Sequence, residues 1–185
     1  MQKVLKCLGD FHHCRFFSPY DLTMVFVSTK PTLPRWLCEN ILIGTLPWHH
    51  GKCQPFSHFS EVYTLHDAYL LGTYQSADSH GETVLCFLWD ALWLPKSITG
   101  QAHANEPIFL LIKATNTLGL SLSTGTLPQP DQQPRRILNA EHVVLDNQTA
   151  VVIDDTKGNA LTLVFSGQLH YLAIDNRQRL LNLGF

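Results

Sequence analysis

A chain of 185 residues is bounded at one domain, or two small lobes, and is long enough to bury a sizeable core without staples. Hydrophobic residues make up 45% and charged residues 15%, against roughly 25% charged in ordinary soluble domains. Much of the surface must then be apolar or uncharged, as contact surfaces are. The formal net charge of -2, with no basic cluster larger than Arg135-Arg136, excludes a nucleic-acid partner.

The first ten residues carry two lysines but no apolar run of signal-peptide length. The longest apolar stretch, residues 84–95, is interrupted by Asp90 and falls short of the about 20 residues a membrane span needs. These features predict a cytoplasmic protein without membrane insertion. Cys7, Cys14, Cys38, Cys53 and Cys86 are odd in number and widely spaced, which fits free thiols in a reducing compartment.

In chain order, residues 22–27 are β-branched and apolar and read as a strand that ends at the turn signal 28–31. Residues 37–43 fit helix or strand, and 44–51, with Pro47, reads as a connection. Residues 62–65 read as a strand, followed by a short helix at 66–71 closed by Gly72. A polar loop over 73–82 leads to a buried strand at 84–89, and 95–107 is loop-rich. The unbroken apolar run 108–112 predicts a strand buried on both faces. Asn116-Thr117 reads as a turn, with 118–122 as the hairpin partner of that strand. Residues 128–134 form a Pro/Gln loop. Residues 142–145 and 150–153 read as a hairpin around 146–149, and 161–165 and 169–174 as strands around the short turn 166–168. Asp175 is placed to cap a closing helix that carries Arg177, Arg179, Leu180 and Leu181. Many short strands between Gly, Pro and Asn argue for a mainly β domain, a barrel or sandwich with short helices. No internal repeat of fixed period is evident. The segments 65–71 and 173–181 nonetheless share a strand running into an Asp-led helix, which points to two related lobes.

Candidate chemistry is sparse. His49, His50, Cys53 and His58 lie close in sequence, and His12-His13-Cys14 forms a second cluster, but only His50-x2-Cys53 has ligand spacing, where a structural zinc site needs two such pairs. No nucleophile elbow, phosphate-binding loop or dinucleotide fingerprint is present. Asp154-Asp155 would point to opposite faces of a strand, and a β-turn is the plainer reading. Trp36, Trp48, Trp89 and Trp93 read first as core residues. On a helix, Trp89 and Trp93 would share one face, with a partner surface as the second reading.

Two stretches resemble a known family. Leu46, Pro47 and Gly51, followed by Val62, Leu65, Asp67 and Gly72, are similar to the middle of CheW-like domains, the coupling proteins of chemosensory systems. Residues 108–122 resemble that family's central hairpin, and 167–182 its closing strand and helix. The similarity covers roughly residues 44–72 and 106–183. Residues 52–60 lack the Arg and Gly of the family's turn. The resemblance implies a CheW-like domain at 44–185 of two small five-stranded β-barrel lobes, preceded by an unassigned segment 1–43. It also implies a non-enzymatic, cofactor-free and metal-free adaptor whose partners are chemoreceptors and a CheA-type histidine kinase, with control of type IV pili and twitching as one setting. Phe56, Val62, Leu65 and Asp67 are the implied partner-facing residues, with Gly51 and Gly72 as turn positions. Val62 and Leu65 read equally well as strand core, and Asp67 as a helix cap. The alternatives are a small metal- or thiol-dependent enzyme using Cys53 with His49, His50 or His58, and a β-barrel inhibitor or immunity protein.

Overall fold

Among the described residues three short α-helices each begin directly after a proline. α1 (Arg35–Leu42) follows Pro34, α2 (Phe56–Val62) follows Pro55, and α3 (Lys96–Thr99) follows Pro95. Proline has no N–H to leave unpaired and its φ is locked, so it leads the chain into a helix at little cost. Each helix closes its first turn on its own proline: the amides of Cys38, Phe59 and Thr99 donate to the carbonyls of Pro34, Pro55 and Pro95 at 3.1, 3.3 and 3.1 Å. These contacts come from a computed structural model that describes residues 31–76, 81–102, 106–124, 133–145 and 148–184. The strand expected at 22–27, the His12-His13-Cys14 cluster, most of the 128–134 loop, and Asp146 and Asn147 lie outside the described residues.

The strands are β1 (Lys52–Cys53), β2 (Tyr69–Gln75), β3 (Thr83–Trp89), β4 (Ile108–Ala114), β5 (Thr117–Leu122), β6 (Arg135–Leu145), β7 (Gln148–Asp155), β8 (Ala160–Phe165), β9 (Leu169–Asp175) and β10 (Leu180–Leu181). They pair antiparallel in the order β1-β9-β4-β3-β2-β6-β7-β8-β5, with β10 beside β1 on the outer edge of β9. The domain is mainly β, as expected. The sheet is open, however, where the family resemblance implied two closed barrels. Among the described residues the strand ladders of its two halves join through two residue pairs, Tyr69 with Arg136 and Leu70 with Arg135.

The larger core lies between the inner faces of these halves. Leu85, Phe87, Leu110, Ile112 and Tyr171 come from the first half, Val151, Ile153, Leu161 and Leu163 from the second, and Phe56 and Phe59 from α2. The Phe59 ring stacks on Tyr171 at 4.7 Å between centroids and 3° between planes. A second core covers the outer face of the first half, where Leu33, Trp36, Leu37 and Ile41 lie over Leu71, Cys86, Phe109, Leu111 and Leu172.

Several expectations give way to longer-range pairing. Residues 62–65 are not a strand, because Val62 ends α2. Residues 66–71 are not a helix. The chain turns at His66-Asp67 and then forms β2, with Gly72 inside the strand at a register shift rather than at a helix end. β5 pairs with β8 and not with β4, so the hairpin expected around Asn116 is absent. β8 and β9 likewise do not pair with each other. Both links cross between the halves side by side: the Thr115 amide donates to the Gln168 carbonyl at 3.0 Å, and the Ser166 amide to the Asn116 carbonyl at 3.0 Å. Gly167 is pressed against Thr115 at this crossing, where a Cβ would overlap the Thr115 carbonyl and hydroxyl. Gly51 also sits where a Cβ would crowd a backbone, 2.7 Å from the Tyr171 carbonyl. The predicted β6–β7 hairpin is present.

The closing helix at Asp175 is replaced by a β-turn that repeats an earlier one. The Asp155 amide donates to the Asn159 carbonyl at 2.8 Å, and the Asp175 amide to the Arg179 carbonyl at 3.0 Å. Oδ1 of Asp155 accepts from the amides of Lys157 and Asn159, and Oδ1 of Asp175 from those of Arg177 and Arg179. Gly158 and Gln178 both take positive φ, 81° and 65°. The two turns are thus one device at a spacing of 20 residues, a short internal repeat that the apolar alternation hides. This is also where the second Asp-led segment belongs: its counterpart is Asp155, not Asp67. Asp154 and Asp155 do face opposite ways, but at the end of β7, with Asp155 buried.

Two outcomes follow for stability. Glycine is the residue that tolerates left-handed backbone, so Gln178→Gly is expected to stabilise the fold by about 0.5–1 kcal/mol, and Gly158→Gln to destabilise it by a similar amount. Urea midpoints check both. Burial opposes ionisation of Asp155, but hydrogen bonds from Asn159, Arg135 and Lys157 outweigh it and hold the carboxyl below its ordinary value. The folded pKa is therefore the lower one. Its stabilisation is present above the unfolded value of about 3.9 and is lost as pH falls through the folded one. Asp155→Ala should cost about 2–4 kcal/mol at pH 7 and progressively less as pH falls below about 3.9, as read from urea unfolding at pH 7 and through the acid range.

Candidate protein-contact site

Three segments converge at one surface beside the junction of the two sheet halves. The first is the turn His66-Asp67. It is pinned to β6 by backbone bonds from Asp67 N–H to the Ile137 carbonyl (2.9 Å) and from Ile137 N–H to the Ala68 carbonyl (2.8 Å). The second is the 3-10 turn Ala91–Trp93, which follows β3. Oδ1 of Asp90 accepts from the Leu92 amide at 2.9 Å, and the Asp90 carbonyl from the Trp93 amide at 3.2 Å, a local closure that turns the chain outward. The third is the start of β6, where alternation sends Arg135 inward to Asp155 (2.8 Å) and Arg136 outward to Asp67 (2.7 Å).

Asp67 is the hub. Its Oδ1 accepts from Arg136 Nη2, its Oδ2 accepts from Trp93 Nε1 at 3.4 Å, and His66 Nε2 lies 3.7 Å from Oδ2. The His66 ring meets Trp93 edge-on at 5.3 Å and donates from Nδ1 to the Leu138 carbonyl at 2.7 Å. Leu92 is 88% exposed, Leu138 52% and Trp93 50%. Singly exposed leucines are ordinary, but neighbouring large apolar side chains left in water mark interaction surfaces. Ordered Arg and Trp side chains beside exposed leucines are the composition of a protein-contact surface.

The structure separates the four expected contact residues. Phe56 and Leu65 are each 2% exposed and belong to the main core. Val62 is half exposed at the end of α2, and Asp67 lies in the cluster. Trp89 and Trp93 do not share a helical face. Trp89 is buried in β3, with its indole N–H on the Thr64 carbonyl at 2.8 Å, while Trp93 faces outward. Sequence reading missed His66, Leu92, Trp93, Arg136 and Leu138 as one group, since β6 lies more than 40 residues from the other two segments. The signal within reach was Asp90, a turn-forming residue directly after an apolar strand.

Of the residues of the enzyme alternative, the Cys53 thiol donates to Gln168 Oε1 at 3.3 Å, His58 pairs with Gln54, and the His49 and His50 rings meet at a tilt of 46° with centroids 4.0 Å apart. Among the described residues no three His, Cys, Asp or Glu side chains converge as metal ligands. No protein-family model matches the chain, nor does any curated protein or solved structure.

The described thiols differ sharply in access. Cys53 is exposed, whereas Cys86 is fully buried, and burial, with nearby Cys38, pushes its thiol well above the ordinary value. Iodoacetamide should therefore label Cys53 in the native protein and reach Cys86 only after denaturation. Peptide mass mapping reads both, and equal labelling of the two in the native protein would contradict this packing.

Proposed function

We propose that the protein is a non-enzymatic binding module whose contact surface is centred on Trp93, with Leu92, Leu138, His66 and Arg136 around it. The observation that carries the reading is the pair Leu92 and Trp93, exposed at the tip of an ordered turn and backed by the Arg136–Asp67 ion pair. Arg and Trp are the residue types that dominate binding energy when a partner removes them from water.

The narrower form of the proposal is an adaptor that couples chemoreceptors to a CheA-type histidine kinase. It rests on the sequence resemblance alone. The open sheet withholds from it the two closed barrels that the resemblance implies. Within the described residues no helix is long and apolar enough to cross a membrane.

Affinity capture from the producing cells tests both levels, with the unsubstituted protein beside Leu92→Asp and Trp93→Ala variants of matched melting temperature. A protein held by the unsubstituted chain and reduced about tenfold or more by either substitution is the expected result. A histidine kinase or methyl-accepting receptor among the captured proteins would favour the adaptor form. Capture that is indifferent to both substitutions would remove the surface from consideration.

A further inference from the structure

We infer that Asp67 is a positioning residue of this surface, kept in a strained backbone conformation so that its carboxylate orients Trp93 and Arg136. The inference rests on the contact surface proposed above and assigns the residue that organises it.

The backbone supplies the first part. Asp67 has φ 63°, a left-handed conformation that glycine adopts with less strain. The conformation is enforced, because hydrogen bonds to Ile137 from the Asp67 amide and the Ala68 carbonyl lock this turn to β6. A glycine would meet the same backbone demand, so what the aspartate adds is its carboxylate.

The partners of that carboxylate supply the second part. Asp155 and Asp175 also sit at turns, but each uses Oδ1 to accept two main-chain amides of its own turn, which is how a carboxylate serves as a structural cap. Asp67 differs. Its contacts, Arg136 Nη2, Trp93 Nε1 and His66 Nε2, are all side-chain atoms, and the first two come from separate segments. Those two side chains are half exposed, with Trp93 at 50% and the Arg136 side chain at 50%. Without a fixed partner both would sample several rotamers, and a binding partner would have to order them at the cost of affinity. The carboxylate removes that cost before contact.

Asp67→Gly, Asp67→Ala and Asp67→Asn separate positioning from folding. Two quantities are measured in the isolated protein: the melting temperature, and the Trp93 indole N–H in a 1H–15N spectrum, assigned by its loss in Trp93→Phe. Asp67→Gly is expected to melt no lower than the unsubstituted protein, while its Trp93 indole N–H shifts and exchanges with water several-fold faster. Asp67→Asn, whose side-chain oxygen still accepts, should retain more of the original signal than Asp67→Ala. An unmoved Trp93 resonance in Asp67→Gly, or a melting temperature lowered equally by Gly and Ala, overturns the inference. Neither readout needs a partner, so the inference can fail while capture through Trp93 and Leu92 succeeds, and the reverse.

Discussion

β4 has no face to leave in water, and the architecture follows from that. Ile108, Leu110, Ile112 and Ala114 point into one core, and Phe109 and Leu111 into the other. An antiparallel sheet can normally keep one side wet, but a strand apolar at every position except Lys113 must be covered twice. On one side the cover is α1, too short to be stable alone and held there by Leu37 and Trp36. On the other it is the second half of the sheet together with α2. Phe59 is fully buried between Tyr171, Trp89 and Tyr63. Truncating a buried phenylalanine costs about 3–5 kcal/mol, a large fraction of the stability of an ordinary domain. The strands of the second half show the other regime. β8 alternates between buried Leu161, Leu163 and Phe165 and partly exposed neighbours, as a strand covered on one side does.

Folding two sheet halves over one core forces the chain to change sides, and the crossings explain the turn chemistry. β4 to β5 and β8 to β9 pass between the halves next to each other, close enough that Gly167 admits no side chain. The remaining reversals must then be tight. Asp155 and Asp175 solve this in the same way, each folding its turn around a buried carboxylate that accepts main-chain amides. Burying a carboxylate is costly unless its charge is answered. Arg135 answers one and Arg179 the other, each with a contact to Oδ2. The Arg135–Asp155 bond also ties β6 to the end of β7 near the narrow pairing of β2 with β6, so one ion pair stiffens the joint between the halves.

What the sequence disclosed follows the reach of each signal. The runs 84–89 and 108–112 and the hairpin of β6 and β7 were readable because local pattern decided them. β5 and β8 were readable as strands, but their partners were not, since pairing across the crossings depends on residues tens of positions apart. Helix α2 was missed because it is short and its buried residues, Phe56 and Phe59, are aromatic residues of high β-propensity, although Pro55 marked its start. Asp175 resembled a helix cap because a cap and this turn use the same kind of interaction, a carboxylate accepting main-chain amides a few residues on, here those of Arg177 and Arg179. Of the candidate site, Asp67 was named through the family resemblance, with a helix cap as its other reading. Its partners were not, because Arg136 reads from sequence as half of an unremarkable basic pair.

The same alternation that splits Arg135 from Arg136 places the proposed contact surface where it is. One arginine closes the joint from within, and the other stands outside it against Asp67. The surface is therefore mounted on the joint between the halves rather than on a free loop. His66-Asp67 is bonded to β6, and the Asp90–Trp93 turn issues from β3, two strands away from β6 in the sheet. A surface built on β3 and β6 at once keeps its shape only while β2 stays paired with both, through six residue pairs to β3 but only two to β6. The Arg136–Asp67–Trp93 contacts lie over that seam and fix the side chains there, while the seam itself is held by backbone pairing and by the core shared between the halves. The proposed surface is in that way ordered by contacts that the cohesion of the two halves does not depend on.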